Sequence, residues 1–180
     1  EALVSAIDTN SWNQAANQGR GETSPTVIMP KVDCFDPKMA DLAVKNPSPD
    51  KARQVLLAAG WTAGADGKLS KNGKPLVIQL LSSTIPGIGK GGEFLADQWT
   101  KAGMTVEGRY FGDFNQQIQA GSRSEFDVYV SPHSFDQPNP NSVVSVWTGK
   151  APPAGSNWAK KSRLGSLATS CLASGMGCTT

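Results

Sequence analysis

The chain has 180 residues, of which 38% are hydrophobic and 18% charged, so it can form one domain with a packed core and is unlike a disordered segment. A formal net charge of +2, with Lys and Arg scattered along the chain, argues against a nucleic-acid-binding surface. The longest apolar runs have about six residues, whereas a membrane-spanning helix needs roughly 20.

Residues 1–75 are predicted to form helices and loops that pack on the core that follows. Residues 1–7 have the composition of a helix, and residues 18–30 that of a loop. Asp36 and Ser48 each precede a proline, which is typical of an N-cap followed by the first helical residue. The helix after Ser48 has an apolar face and is expected to stop at Gly60. Turn dipeptides at residues 66–67 and 72–73 predict a small hairpin or a pair of turns.

Residues 76–147 carry the pattern of a βαβαβ core. Strands are predicted over residues 76–81, 105–110 and 126–130, with a helix over residues 93–102 and a second helix that begins after Asp113 and ends at Gly121. Strands joined by helical crossovers lie parallel, so the fold class is α/β, a largely parallel sheet flanked by helices. Residues 148–180 are predicted to be a C-terminal loop and helix, and whether this part is truncated is left open.

Polar side chains collect where the first and third predicted strands end. Ligands of open parallel sheets lie outside the carboxyl ends of the strands, so the candidate ligand-binding residues are Ser82, Ser83, Thr84, Ser131, His133, Ser134, Phe135 and Asp136. A lone carboxylate at position 136 suits a cationic group of a ligand. A structural role for this carboxylate, as an Asx-turn before Pro138, remains open.

Catalytic and cofactor sites are weaker interpretations. Glycines 87, 89 and 92 fit GxGxxG, but they follow the strand too late for a dinucleotide site and predict a flexible loop. Residues 131–136 hold the residue types of a hydrolytic triad within one loop, which leaves an α/β hydrolase using His133 as an alternative. One His and three Cys predict no metal site, and no cofactor is expected. A disulfide between Cys171 and Cys178 is left open.

A third class is a structural interaction module, in which exposed aromatic side chains at Trp147 and Trp158 dock a partner protein.

Several short phrases together suggest a family. They are Asp50-Lys-Ala-Arg-Gln-Val-Leu-Leu-Ala-Ala-Gly-Trp61, Asp66-Gly67, Asn72-Gly-Lys-Pro-Leu76, Gln98-Trp-Thr-Lys-Ala-Gly-Met-Thr-Val106 and Phe126-Asp127. In this combination the chain resembles the extracellular solute-binding proteins of family 5, the dipeptide and oligopeptide receptors of ABC importers, over about residues 1–165. The resemblance implies one lobe of a fold like that of type II periplasmic binding proteins, in which two lobes close over a ligand. This chain resembles part of the second lobe only.

The resemblance also implies a function without catalysis. It implies a receptor in the bacterial periplasm or on the cell surface that delivers a peptide or similar small solute to an ABC permease, with the first lobe completing the cleft. Asp136 takes the place of the carboxylate that pairs with a peptide's α-ammonium group. Pro132, His133 and Ser134 replace the usual Trp or Gly residues ahead of it. Nickel chelates, opines and oligosaccharides, which other members bind, are therefore alternative ligands.

Overall fold

A computed structural model describes residues 1–24, 36–123 and 126–130. The helices are α1 (Ala2–Ser5), α2 (Thr9–Asn17), a 3₁₀ helix (Pro37–Leu42), α3 (Pro49–Ala58), α4 (Ile88–Lys101) and α5 (Phe114–Ser122). The strands are β1 (Thr62–Ala63), β2 (Leu69–Lys71), β3 (Lys74–Pro75), β4 (Val77–Ser83), β5 (Thr105–Phe111) and β6 (Val128–Tyr129). None of the helices in these ranges is long and apolar enough to cross a bilayer. The predicted loop and helix of residues 148–180 lie outside the described residues.

The second helix, α2, was not predicted from the sequence, although its capping signals are present. The Asp8 carboxylate accepts a hydrogen bond of 2.7 Å from the backbone N–H of Ser11. Hydrogen bonds from Ser11 lower the pKa of Asp8, and the bond from its side chain has a larger effect than the bond from its backbone. The helix ends at Gln18, which adopts the left-handed conformation with φ of 55°.

The predicted features of residues 36–75 agree with the structure. The Ser48 hydroxyl caps α3 by accepting a hydrogen bond of 3.1 Å from the N–H of Lys51. The dipeptide at Asn72 and Gly73, both with positive φ, closes the hairpin between β2 and β3. Strands β1, β2 and β3 form a small antiparallel sheet in that order.

A second sheet is parallel, as predicted, and has the order β5-β4-β6. Strand β4 pairs with β5 from Val77 opposite Thr105 to Ser83 opposite Phe111. On the other side, Leu80 lies opposite Val128 in β6. Further backbone hydrogen bonds at residues 127 and 130 lengthen the contact between β6 and β4 at both ends. Because the strands are parallel, all three end at the same edge of the sheet.

The two faces of the parallel sheet are covered by different helices. On one face a cluster joins α1, α3 and α4 to the sheet, and its buried members are Ala6, Ala52, Leu56, Leu69, Ile78, Leu80, Trp99, Ala102 and Met104. On the other face Leu81 packs with Ala120 of α5 and with Phe126. The domain is therefore layered as helix, sheet and helix. Helices α1 and α3 thus pack on the sheet, and the division of the chain into segments stays a prediction.

Helix α4 begins at Ile88, five residues before the predicted start at Glu93, so the glycines expected in a flexible loop lie in its first turns. Gly89 and Gly92 of the GxGxxG pattern, together with Gly91, are buried in the helix, while Gly87 is its half-buried N-cap. A Cβ atom on Gly89 would lie 2.7 Å from the carbonyl oxygen of Ser83, and one on Gly92 would lie 2.8 Å from the Cβ atom of Ser82. Glycine costs a helix about 1 kcal/mol relative to alanine, and here it allows the helix to approach β4 closely.

The close approach of α4 to β4 predicts a loss of stability for Gly92→Ala. Alanine is the better helix former, so propensity alone predicts a gain of about 1 kcal/mol. The clash with Ser82 is expected to outweigh that gain and lower the free energy of unfolding by about 1–3 kcal/mol in urea titrations. As a control, Gly112→Ala places a Cβ at 3.7 Å from the Thr84 hydroxyl oxygen and is expected to change stability little. A Gly92→Ala protein at least as stable as the parent would contradict this packing.

Candidate functional site

The ends of β4 and β5 are joined by hydrogen bonds to one carbonyl oxygen. The Phe111 oxygen accepts from the backbone N–H of Thr84 at 2.9 Å and from the Ser83 hydroxyl at 3.1 Å. The Ser83 hydroxyl oxygen in turn accepts from the N–H of Ile85 at 3.0 Å. The turn that leaves β4 is therefore fixed against the end of β5.

The predicted binding residues of β4 differ in their accessibility. Ser82 and Ser83 are fully buried, and the Ser82 hydroxyl lies 3.4 Å from the carbonyl oxygen of Ile88, to which it donates. Thr84 is exposed at the edge of the sheet. Of these three side chains, Thr84 can meet a ligand directly, while Ser82 and Ser83 hold the strand end beneath it. The other predicted site residues lie outside the described residues, namely Ser131, His133, Ser134, Phe135 and Asp136.

A groove of about 510 Å³ lies beside the exit of β4. One wall is the end of α2 and the turn after it, and the other is the connection from β4 to α4. Its lining residues are Ala16, Asn17, Gln18, Arg20, Gly21, Pro86 and Gly87. Gly87 has φ of 84°, and a Cβ atom there would lie 3.5 Å from the Ala16 carbonyl oxygen, so the two walls are close at this point.

The α2 wall of the groove is fixed by one buried carboxamide. The Asn13 Nδ2 atom donates to the carbonyl oxygen of Gly21 at 2.7 Å, and its Oδ1 atom accepts from the N–H of Gly21 at 3.2 Å. The Trp12 indole nitrogen donates to the Gly91 carbonyl oxygen at 3.3 Å, which ties α2 to α4. Asn13 thus holds the turn after α2, and Trp12 holds α2 to α4, so both walls of the groove have a fixed position relative to each other.

The charge that faces the groove is positive. Arg20 is exposed, and no ion pair of its guanidinium group is found in residues 1–24, 36–123 and 126–130. The N-cap residue of helix α4 is Gly87, which lines the same groove as Arg20 and offers no side-chain cap. Because a helix N-terminus carries partial positive charge, it adds to the effect of the guanidinium group. The groove therefore favours a carboxylate or another acceptor group.

Nearby at the end of β5, Tyr110 is about one-third exposed, at 37%. Burial raises the pKa of the Tyr110 hydroxyl above 10.0, and the negative charge of Glu93 raises it further by a smaller amount. At neutral pH this hydroxyl is therefore uncharged.

Strand β6 is attached to β4 through a buried carboxylate. Asp127 is 7% exposed, and its Oδ2 atom accepts from the backbone N–H of Gln79 at 2.8 Å. The N–H of Asp127 donates to the carbonyl oxygen of the same Gln79 at 2.9 Å. Two bonds to one residue fix the register of β6, and with it the point from which the chain continues toward the predicted anchor Asp136.

The groove was missed in the sequence because α2 was missed. Asp8 at the start of α2, and glycines 19 and 21 beyond its end, are the start and stop signals that would have located the helix. Placement of Arg20 beside Pro86 needs the tertiary packing of α2 against α4, for which no local pattern exists.

Metal binding has no support in the described part of the chain. Within it, no three His, Cys, Asp or Glu side chains come together in a group that could hold a metal ion.

Residues 1–155 match the sequence profile described as bacterial extracellular solute-binding proteins, family 5 Middle. The chain belongs to this family. The family predicted from the sequence phrases is thereby confirmed, and members of this family are binding proteins. A comparison with curated protein sequences finds no match.

Solved structures share the fold of this family 5 chain. NikA from Brucella suis in complex with Fe(III)-EDTA superposes with a TM-score of 0.70 at 21% identity, over 95% of this chain and 33% of that one. AppA from Bacillus subtilis in complex with a nonapeptide superposes with a TM-score of 0.67 at 22% identity, over 87% of this chain and 31% of AppA. MelB from Agrobacterium fabrum in complex with stachyose superposes with a TM-score of 0.71 at 22% identity, over 91% of this chain and 25% of MelB. The family 5 chain thus spans a quarter to a third of the length of these proteins.

Proposed function

We propose that this chain is one ligand-binding lobe of an extracytoplasmic receptor that captures a small solute and delivers it to an ABC permease, without catalysis. The observation that carries the proposal is the groove beside the exit of β4, at the edge where the three parallel strands end. Membership of a family of bacterial extracellular solute-binding proteins supports both the binding role and the location outside the cytoplasm.

The groove is one wall of a cleft in this proposal. It is open to solvent, and the chain spans only 25–33% of the length of the three proteins whose fold it shares. Binding proteins of two lobes enclose a ligand by closing one lobe on the other. The remaining lobe would therefore supply the opposite wall, and the residues described here would supply about half of the contacts.

A peptide is the ligand class that the charges favour. Arg20 presents a positive charge to the groove, and Asp136, a few residues after β6, is the proposed partner of an ammonium group. A peptide carries a carboxylate at one end and an ammonium group at the other, so it matches both charges. Ser82 and Ser83 would support the site from beneath the surface. Direct hydrogen bonds and apolar contacts would come from the remaining proposed residues, which are Thr84, Ser131, His133, Ser134 and Phe135.

Chelates and oligosaccharides are the alternative ligands. NikA and MelB are described with Fe(III)-EDTA and stachyose, respectively, whereas AppA is described with a nonapeptide. An uncharged oligosaccharide would make no use of the positive charge of Arg20. A ligand screen of the complete protein with trialanine, nickel-histidine and stachyose separates the three classes, and binding of trialanine alone is expected.

Arg20→Gln is expected to weaken the binding of trialanine to the complete protein by about tenfold, since it removes a charged hydrogen bond. Trialanine with an amidated C-terminus should bind the parent and the variant equally, because it has no carboxylate for Arg20 to meet. Isothermal titration calorimetry measures both. Arg123→Gln is the matched control, since Arg123 is also exposed but lies at the far end of α5 from the strand exits. Equal losses for the two peptides would contradict a contact between Arg20 and the ligand carboxylate.

Asp136→Asn is expected to weaken trialanine by roughly 1.5–3 kcal/mol and to leave N-acetyl-trialanine unaffected, because only the first peptide has an α-ammonium group. The control is Asp97→Asn, which changes an exposed carboxylate on α4 that pairs with Lys101. Isothermal titration calorimetry measures the affinity of the parent and of both variants for the two peptides. If both peptides lose affinity alike, Asp136 acts as a turn cap and the proposed anchor is wrong.

A further inference from the structure

Gln117 is a fully buried polar side chain on α5. Its Nε2 atom donates a hydrogen bond of 2.7 Å to the carbonyl oxygen of Val130. A carbonyl oxygen can only accept, so this contact fixes which end of the carboxamide faces Val130. The side chain therefore links the middle of α5 to the end of β6.

Val130 is held from two sides. Its backbone N–H donates to the carbonyl oxygen of Leu81 in β4 at 2.8 Å, while its own carbonyl oxygen accepts from Gln117. Among the described residues, no backbone N–H of the sheet donates to the Val130 carbonyl oxygen. The side chain of Gln117 supplies that donor instead. The backbone of Val130 is thus fixed jointly by β4 and α5.

The other end of the same carboxamide is unused within the described residues. The Gln117 Oε1 atom is buried, and no donor to it is found in residues 1–24, 36–123 and 126–130. A buried acceptor without a donor lowers stability, and an apolar side chain of the same length would avoid that cost. Packing of α5 against the sheet alone does not account for a glutamine at this position. Side chains that weaken the fold locally in this way are typical of functional sites.

We infer that Gln117 is a positioning residue for solute binding, acting through the Val130 carbonyl on the chain that leaves β6. This inference rests on the proposed function, because the residues that follow Val130 include the proposed anchor Asp136. Because Gln117 is fully buried, it would act on the solute only indirectly. It limits the orientations open to the chain at the edge of the sheet, so that less conformational freedom is lost when a solute binds.

The test compares Gln117→Met with Gln119→Met in the complete protein. Methionine has nearly the same length and shape as glutamine but cannot donate to Val130, and Gln119 is an exposed glutamine on the same helix. Thermal unfolding first establishes that each variant is folded. Trialanine is then titrated by calorimetry, and amide hydrogen exchange is followed in peptides that cover residues 126–136.

The expected result is a dissociation constant for trialanine about tenfold higher in Gln117→Met, together with faster exchange after Val130, and no change in Gln119→Met. A purely structural role for Gln117 would lower the fraction of protein that binds and leave the dissociation constant of the folded fraction unchanged. That outcome, or an exchange rate equal to that of the parent, would overturn the inference. Should Gln117→Met not fold, Gln117→Asn keeps the carboxamide but withdraws it from Val130, and the same result is expected.

The parent protein separates failure of this inference from failure of the proposed function. If the parent binds none of trialanine, nickel-histidine and stachyose, the proposed function fails and the inference fails with it. If the parent binds trialanine and Gln117→Met binds it equally well, only the inference is overturned.

Discussion

The double hydrogen bond between Asp127 and Gln79 is the contact on which the arrangement of the strand exits depends. β6 itself has only two residues, so few backbone hydrogen bonds hold it to β4. Asp127 adds a carboxylate bond to the N–H of Gln79 and a backbone bond to its carbonyl oxygen. Because β4 is the central strand, this contact sets β6 in line with β5 as well, and the three exits share one edge.

Each exit at that edge is then held by a side chain rather than by further strand pairing. Ser83 joins the end of β4 to that of β5 through the Phe111 carbonyl, and Gln117 holds the end of β6. Asn13 does the same for the turn that carries Arg20. Interactions of this kind fix loops before a ligand arrives, which reduces the entropy lost on binding. In the proposed receptor, these contacts would let the lobe bind a solute with a smaller loss of loop freedom.

The sequence predicted the parallel α/β core because the signals for it are local. Apolar periodicity located β4 and β5, and Asp113 marked the start of α5. The start of α4 was placed too late, since the glycines that read as a flexible loop are selected by contact with Ser82 and Trp12, which no local pattern reveals. For the same reason the groove between α2 and α4 was not predicted. Thr84 was identified correctly as lying at the sheet edge, whereas the burial of Ser82 and Ser83 depends on how closely α4 packs.

We propose that the edge where β4, β5 and β6 end forms one wall of the solute cleft. A crystal structure of the complete protein with its bound solute tests this claim most directly. We expect the solute to lie within contact distance of Thr84 and of the groove at Arg20, with the second wall supplied by the other lobe. A solute bound elsewhere, with the groove open to solvent in the closed protein, would show that this edge is not a wall of the cleft.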